Sequence, residues 1–201
     1  NDFVKITKKI LKASKINPSD ISCIATSAIG PCMLPVSYEG DPLMNAVLYG
    51  VDTRAENEIR ELNEEVGEEK ILQNCGNALT SQSVGPKILW LKKNCPEIFK
   101  TAGKILSSTS FLVQKLTGEG VIDHYTAANF TPLYDIKNLK WTDTLTKNII
   151  EIERLPKLMW TTEIAGYVSK AASKETGLAT GTPVTVGTID AAAEAISVGV
   201  C

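Results

Sequence analysis

Pro183-Val184-Thr185-Val186-Gly187-Thr188-Ile189-Asp190-Ala191-Ala192-Ala193 is the stretch on which the fold of this chain turns. An apolar strand runs into a glycine turn, and the turn delivers a carboxylate at the start of an alanine-rich helix. The glycine permits a tight backbone path along which a ligand can approach closely. The helix start offers Asp190 unpaired N–H groups and a positive dipole end, which suit a carboxylate. A carboxylate placed beside a substrate hydroxyl can take its proton as the oxygen attacks a phosphoryl group. The plain alternative is an aspartate N-cap, worth about 1 kcal/mol and without catalysis. On this stretch alone both readings stand.

Working outward, the segment before this strand reads as Gly166–Val168 strand, a helix over Ala171–Thr176 stopped by Gly177, and a Gly181-Thr182-Pro183 turn. At the other end, Phe3, Ile6, Ile10 and Leu11 recur at helical spacing with lysines opposite, which predicts an amphipathic helix over Asp2–Ser14. Asn17-Pro18-Ser19-Asp20 is a turn. Ile21–Thr26, Met33–Val36 and Ala46–Tyr49 read as strands, with a reversal at Tyr38–Asp41. Helical signals fill the middle. Ile59, Leu62 and Val66 share a face ahead of a Gly67 stop, and Pro86 opens a run through Leu91 that Pro96 ends. Ser108 or Ser110 caps a helix that closes at Thr117-Gly118. A further helix is predicted from Thr142-Asp143, with Leu145, Ile149 and Ile152 inward. The expectation is one α/β domain, a mixed sheet with flanking helices and a helical insertion.

Composition narrows the function. Hydrophobic residues make up 43% and charged residues 22%, with a net charge of −2. Nothing here forms a basic footprint for nucleic acid or for an anionic membrane surface. Apolar runs break well short of the roughly 20 residues needed to span a bilayer. No signal-peptide pattern opens the chain, and a soluble, cytoplasmic protein is expected. Five cysteines (Cys23, Cys32, Cys75, Cys95, Cys201) without a CxxC read as free thiols of a reducing compartment. The lone histidine, His124, excludes a site needing two imidazoles, and no GxSxG elbow accompanies it. A structural hydrogen bond at a helix start is expected of it. The glutamates between Glu56 and Glu69 read as a solvated face, and Trp90 and Trp141 as core.

Further segments fall in a recognisable order. They are Cys23-Ile24-Ala25-Thr26-Ser27-Ala28-Ile29-Gly30-Pro31, Ala46–Arg54 ending in Asp52-Thr53-Arg54, Lys87-Ile88-Leu89-Trp90-Leu91 with Pro96-Glu97, and Leu116-Thr117-Gly118-Glu119 with Asp123 and Ala127-Ala128-Asn129. Tyr134-Asp135, Trp141, Leu155-Pro156, Ile164-Ala165-Gly166 and Gly177-Leu178 lead on to the Gly187–Ala193 stretch. In this order the chain resembles the FGGY carbohydrate kinases over nearly its whole length, and within them the N-terminal, sugar-binding domain of xylulose kinase-like members.

The resemblance implies an actin-like ATPase (RNase H-like) fold and ATP-dependent phosphorylation of a sugar or polyol hydroxyl, with Mg²⁺ at the phosphates. It implies that Asp190 is the general base. Gly30 and Pro31 fall where xylulose kinases carry a sugar-binding Met-His pair, and the Arg-Glu pair of glycerol kinases is also missing. A substrate other than D-xylulose is therefore expected, of pentulose-like size. Asp52 falls near the family's W-x-D-x-R, one residue late and after Tyr49 instead of Trp. Sugar contact and a helix cap beside a solvated arginine are its two readings. Gln82 falls where glycerol kinases present an aromatic, and its amide suits hydroxyls as well as a plain surface. No metal ligand is assigned.

The family's D-x-G-T phosphate loop and its ATP-binding half are not in these 201 residues. Residues 1–201 are thus expected to be a partial N-terminal domain that binds no ATP or Mg²⁺ by itself. Its expected partners are a small sugar or polyol and the C-terminal domain of the same polypeptide, and a homodimer is an open possibility. The rival reading is a non-catalytic sugar-binding or interaction module of the actin-like superfamily.

Overall fold

The structure, a computed structural model, describes residues 2–200, so the expected Cys201 thiol lies outside the described residues. In chain order the elements are α1 (Asp2–Ser14), β1 (Ser27–Ala28), β2 (Leu34–Val36), α2 (Glu56–Val66), α3 (Glu68–Cys75), α4 (Val84–Asn94), α5 (Pro96–Thr101), β3 (Lys104–Leu106) and α6 (Ser108–Thr117). They continue as β4 (Val121–Asp123), α7 (His124–Ala127), β5 (Tyr134–Asp135), β6 (Lys140–Trp141), β7 (Lys157–Met159), β8 (Ile164–Tyr167), α8 (Lys170–Thr176), β9 (Pro183–Thr185), β10 (Thr188–Ile189) and α9 (Asp190–Ser197).

Strand pairing is mixed. β1 lies parallel to β10 (Ser27↔Thr188, Ala28↔Ile189), and an isolated bridge between Ile24 and Val184 extends this alignment toward β9. β9 pairs antiparallel with β8, and β4 lies parallel to β7. β2 pairs antiparallel with β3. The helices α2–α5 are inserted between β2 and β3, as the sequence suggests.

The two larger of three apolar clusters among the described residues hold these layers. The larger packs Leu62, Ile71, Ile88 and Leu91 of the inserted helices against Met33, Ile105 and Ile122 of the strands. Each of these side chains is fully or nearly fully buried, and such burial contributes about 1.5–3 kcal/mol apiece. The smaller core joins α6 and α8 to β9 through Val113, Leu116, Ala172 and Val184, with Phe3 and Leu11 of α1 packed on its rim.

Several expectations are corrected. Ile21–Thr26 forms only the single bridge at Ile24, and Ala46–Tyr49 only a bridge between Val47 and Met33. Gly67 ends α2 but α3 starts at once, and Pro96 ends α4 while opening α5, the first helical position where its missing N–H costs nothing. The cap of α6 is Ser107, whose hydroxyl accepts the Ser110 N–H at 3.1 Å. No α-helix forms after Thr142 in this segment, and only a single 3-10 turn, Ile152–Arg154, ends it. The Thr142 hydroxyl takes the Thr144 N–H at 3.2 Å, and Thr146 does the same for Asn148 at 3.4 Å, so side chains claim the amides a helix would need. Ile149 of that segment is nevertheless fully buried. Among the described residues no helix is long and apolar enough to cross a membrane.

Candidate active site

Asp190 is delivered by a backbone path held at every step. The Val186 N–H donates to the Glu163 carbonyl at 3.0 Å, Gly187 to Thr161 at 3.2 Å and Thr188 to Thr26 at 3.3 Å. Gly187 has a φ of +70°, and a β-carbon there would collide with the Thr26 carbonyl oxygen, so only glycine fits this turn. Thr188 is then fixed from two sides. Its carbonyl accepts the Thr109 hydroxyl at 3.0 Å, and its own hydroxyl donates to the Asp123 carboxylate. Ile189 is buried, and Asp190 stands half-buried as the first residue of α9.

This geometry corrects the cap reading. The N-cap position belongs to Ile189, which has no side chain able to cap, and among the described residues Asp190 Oδ1 accepts only the N–H of its neighbour Ala191 at 3.0 Å. The carboxylate is not consumed in ending the helix. It keeps lone pairs for another hydroxyl.

Gly30 and Pro31 lie opposite, both buried, just past β1. A β-carbon on Gly30 would run into the side chain of Ile189. The absence of a side chain at Gly30 lets the residue before Asp190 approach closely. Cys32 follows, its thiol 3.3 Å from the Ile29 carbonyl, and the Ser108 hydroxyl donates to that same carbonyl. Burial pushes the Cys32 thiol up; a hydrogen bond with Ser108 and the charge of Lys87 oppose this, and the charge of Asp190 adds to it. Cys32 therefore sits within electrostatic reach of both Lys87 and Asp190.

Asp52 and Arg54 form a two-point pair. Arg54 Nε donates to Asp52 Oδ1 at 2.8 Å, and the other guanidinium nitrogen lies 2.7 Å from Oδ2. That hydrogen bond, ahead of all other causes, holds the Asp52 carboxyl below its usual value. The helix-cap alternative for Asp52 is overturned, since α2 begins at Glu56 behind an Ala55 cap. Arg54 is not merely solvated either: its guanidinium lies 4.7 Å from the centre of the Trp90 ring, a cation–π contact. Gln82 is exposed just before α4, and among the described residues no hydrogen bond engages its side chain. It lines a cavity of about 260 Å³ together with Asn77, Thr80, Ser83, Asn129 and Thr131, a neutral set of amides and hydroxyls.

Sequence reasoning missed Lys87. It is 1% exposed, donates from Nζ to the Leu48 carbonyl at 2.5 Å, and is pushed below the usual lysine value chiefly by burial. A lysine inside the apolar run Ile88, Leu89, Leu91 was the available signal. His124 behaves as expected, its Nδ1 sharing a hydrogen bond with the Tyr134 hydroxyl at 2.8 Å.

No group of three or more His, Cys, Asp or Glu suited to a metal occurs among the described residues. Asp190 offers a single carboxylate, so a Mg²⁺ ion beside it would draw most of its ligands from phosphate oxygens and water.

Residues 1–197 match the N-terminal domain of the FGGY family of carbohydrate kinases. A probable L-xylulose kinase of Pasteurella multocida is 29% identical over 200 residues, which are 98% of this chain and 41% of that protein. An autoinducer-2 kinase of Enterobacter sp. is 28% identical over 193 residues, 94% of this chain and 36% of that protein. The crystal structure of a xylulose kinase from Rhodospirillum rubrum superimposes with a TM-score of 0.88 at 26% identity, covering 97% of this chain and 40% of the other. The actin-like, RNase H-like α/β fold follows from this likeness, and the chain spans about 40% of the length of such relatives.

Proposed function

The chain belongs to the FGGY family of carbohydrate kinases, and on that premise we propose that the complete protein transfers the γ-phosphoryl group of ATP to a hydroxyl of a small sugar or polyol. This chain is the sugar-holding part, a partial N-terminal domain, and Asp190 is the general base. The observation that carries the reading is the placement of Asp190: a half-buried carboxylate on a strand-to-helix junction, hydrogen-bonded among the described residues only to its own neighbour. It accepts the proton of the attacking hydroxyl as the phosphoryl group is transferred. ATP, with Mg²⁺ neutralising its phosphates, is held mainly by the rest of the polypeptide.

Substrate recognition rests on neutral hydrogen-bonding groups. Asn77, Gln82 and Asn129 offer amides, and Gly30-Pro31 offers one N–H and no polar side chain. A small pentulose or polyol other than D-xylulose suits this lining. A screen of the complete protein with ATP against L-xylulose, D-ribulose, glycerol, gluconate and D-xylulose tests the reading. ATP-dependent phosphorylation of one of the first four above D-xylulose supports it. A clear preference for D-xylulose overturns the specificity, and no turnover across a broad panel of sugars, polyols and sugar acids overturns the kinase reading.

A further inference from the structure

Lys87 is among the largest fully buried side chains of the described residues, and it is the one that carries a positive charge. No carboxylate among the described residues comes within ion-pair distance of it; its partner is the Leu48 carbonyl, 2.5 Å away. Burying an ammonium is costly, and one carbonyl returns only part of its lost hydration. Methionine has much the same length and would carry no ammonium to desolvate. It would lack the ammonium, whose charge also reaches Asp52 and Cys32. The functional weight of this side chain therefore lies in what the donor holds.

It holds a stretch with few other ties. Val47 exchanges both backbone hydrogen bonds with Met33, at 2.9 and 2.8 Å, which brings the chain alongside Pro31 and Cys32. From Leu48 to Arg54 there is then no strand or helix. Two side chains of α4 grip this stretch from one face, spaced three residues apart as neighbours on a helix are. Lys87 takes its beginning at Leu48, and Trp90 takes its end through the Arg54 guanidinium. Gly50, between them, faces Gln82: a β-carbon there would lie 3.9 Å from Gln82 Cγ.

On the reading that this chain holds a sugar before Asp190, we propose that Lys87 is a positioning residue that fixes the Leu48–Arg54 stretch as one wall of the sugar site through the Leu48 carbonyl. Lys87 does not touch the sugar. It sets where Asp52 and the Gly50 turn stand relative to Gly30, Pro31 and Asp190.

The test uses the complete protein and whichever of L-xylulose, D-ribulose or glycerol it turns over fastest. Lys87→Met should raise KM for that substrate by about tenfold or more while KM for ATP stays within about twofold, with kcat falling less than KM rises. Hydrogen exchange should show substrate-dependent protection of amides 48–54 in the wild type and its loss in the variant. Lys87→Gln, a shorter neutral donor, should fall between the two. A sugar KM within about twofold of wild type, or an equal rise in both KM values, overturns the proposal. If Lys87→Met does not fold, Lys87→Gln and wild-type exchange decide, and no substrate-dependent protection over 48–54 overturns it as well. Asp190→Asn is run alongside: full turnover there defeats the base assignment, whereas an unmoved sugar KM in Lys87→Met with Asp190→Asn inactive defeats only the role of Lys87.

Discussion

The Thr188 hydroxyl donates to the buried Asp123 carboxylate at 2.8 Å, which ties the strand ending at Asp190 to the start of α7. Asp123 is 2% exposed, and its remaining capacity goes to Thr126, whose backbone N–H lies 3.2 Å from Oδ2 and whose hydroxyl reaches Oδ1. A carboxylate this fully engaged is a brace. It keeps Thr188, two residues before the proposed base, from rotating or sliding.

Removing the brace should show first in stability. Asp123→Ala leaves the Thr188 hydroxyl and the Thr126 N–H without their acceptor in a buried place, at a cost of roughly 2–4 kcal/mol. Denaturant melts of the wild type and the variant measure it directly. Stability unchanged to within experimental error would mean that the contact does not brace the site.

Asp190→Asn should separate chemistry from folding. In the complete protein kcat should fall about 10²–10⁴-fold, the usual worth of a general base. Since among the described residues Asp190 bonds only to the Ala191 N–H, melting should move by well under ~1 kcal/mol. Near-normal turnover in this variant would remove Asp190 from the mechanism.

Gly187→Ala and Gly118→Ala form a matched pair. Both glycines have positive φ, +70° and +91°, so each alanine meets about 1–2 kcal/mol of backbone strain. Nothing lies within 4 Å of a β-carbon at Gly118, whereas at Gly187 it strikes the Thr26 carbonyl. The Gly187 variant should therefore be the more destabilised by at least ~1 kcal/mol, with the strand-to-helix junction displaced. Equal losses would contradict the close approach of Thr26 and Gly187.

Lys87 gives a pH signature of known sign. Burial lowers its folded-state value below the ordinary 10.5, so on raising the pH the folded protein releases this proton before the unfolded chain does. Within that window the unfolded state binds more protons, and stability rises with pH. Wild type should accordingly gain on Lys87→Met as pH climbs toward the ordinary 10.5, in paired melts. A flat difference between the two would show that the ammonium is not held in a desolvated state.

Residues 1–201 alone should show no ATP-dependent phosphorylation of any sugar, because phosphoryl transfer depends on groups that position and neutralise the phosphates. A coupled assay with purified fragment and the sugar panel checks this, and robust turnover would refute it.

The parts of this site that were legible in the sequence are those carried by local pattern. Val184 to Asp190 announces a strand, a glycine turn and a helix, and all three are found. What escaped was set by distant partners. Asp190 looks like an N-cap until the backbone places Ile189 there. Lys87 looks like one more helix lysine until Leu48, far away in sequence, is seen to accept from it. The predicted helix after Thr142 fails because threonine hydroxyls compete for the amides, although the inward spacing of Leu145 and Ile149 is right. Gly30 is a glycine for the sake of Ile189, a reason no local pattern contains.

The parallel register of Ser27 with Thr188 joins residues near opposite ends of the chain. On a ribosome this has a temporal meaning. Gly30, Pro31 and Lys87 emerge long before β10, so one side of the crevice exists as polypeptide while its counterpart is still unmade. The Thr26 carbonyl, which awaits the Thr188 amide, stays open to other partners during that interval. Pairings between sequence-distant strands are slow to form and vulnerable while incomplete. A nascent chain stalled before β9 would thus carry most of the segments proposed to line the sugar site without the strand that completes it, and its unpaired strand edges would be exposed to other partners.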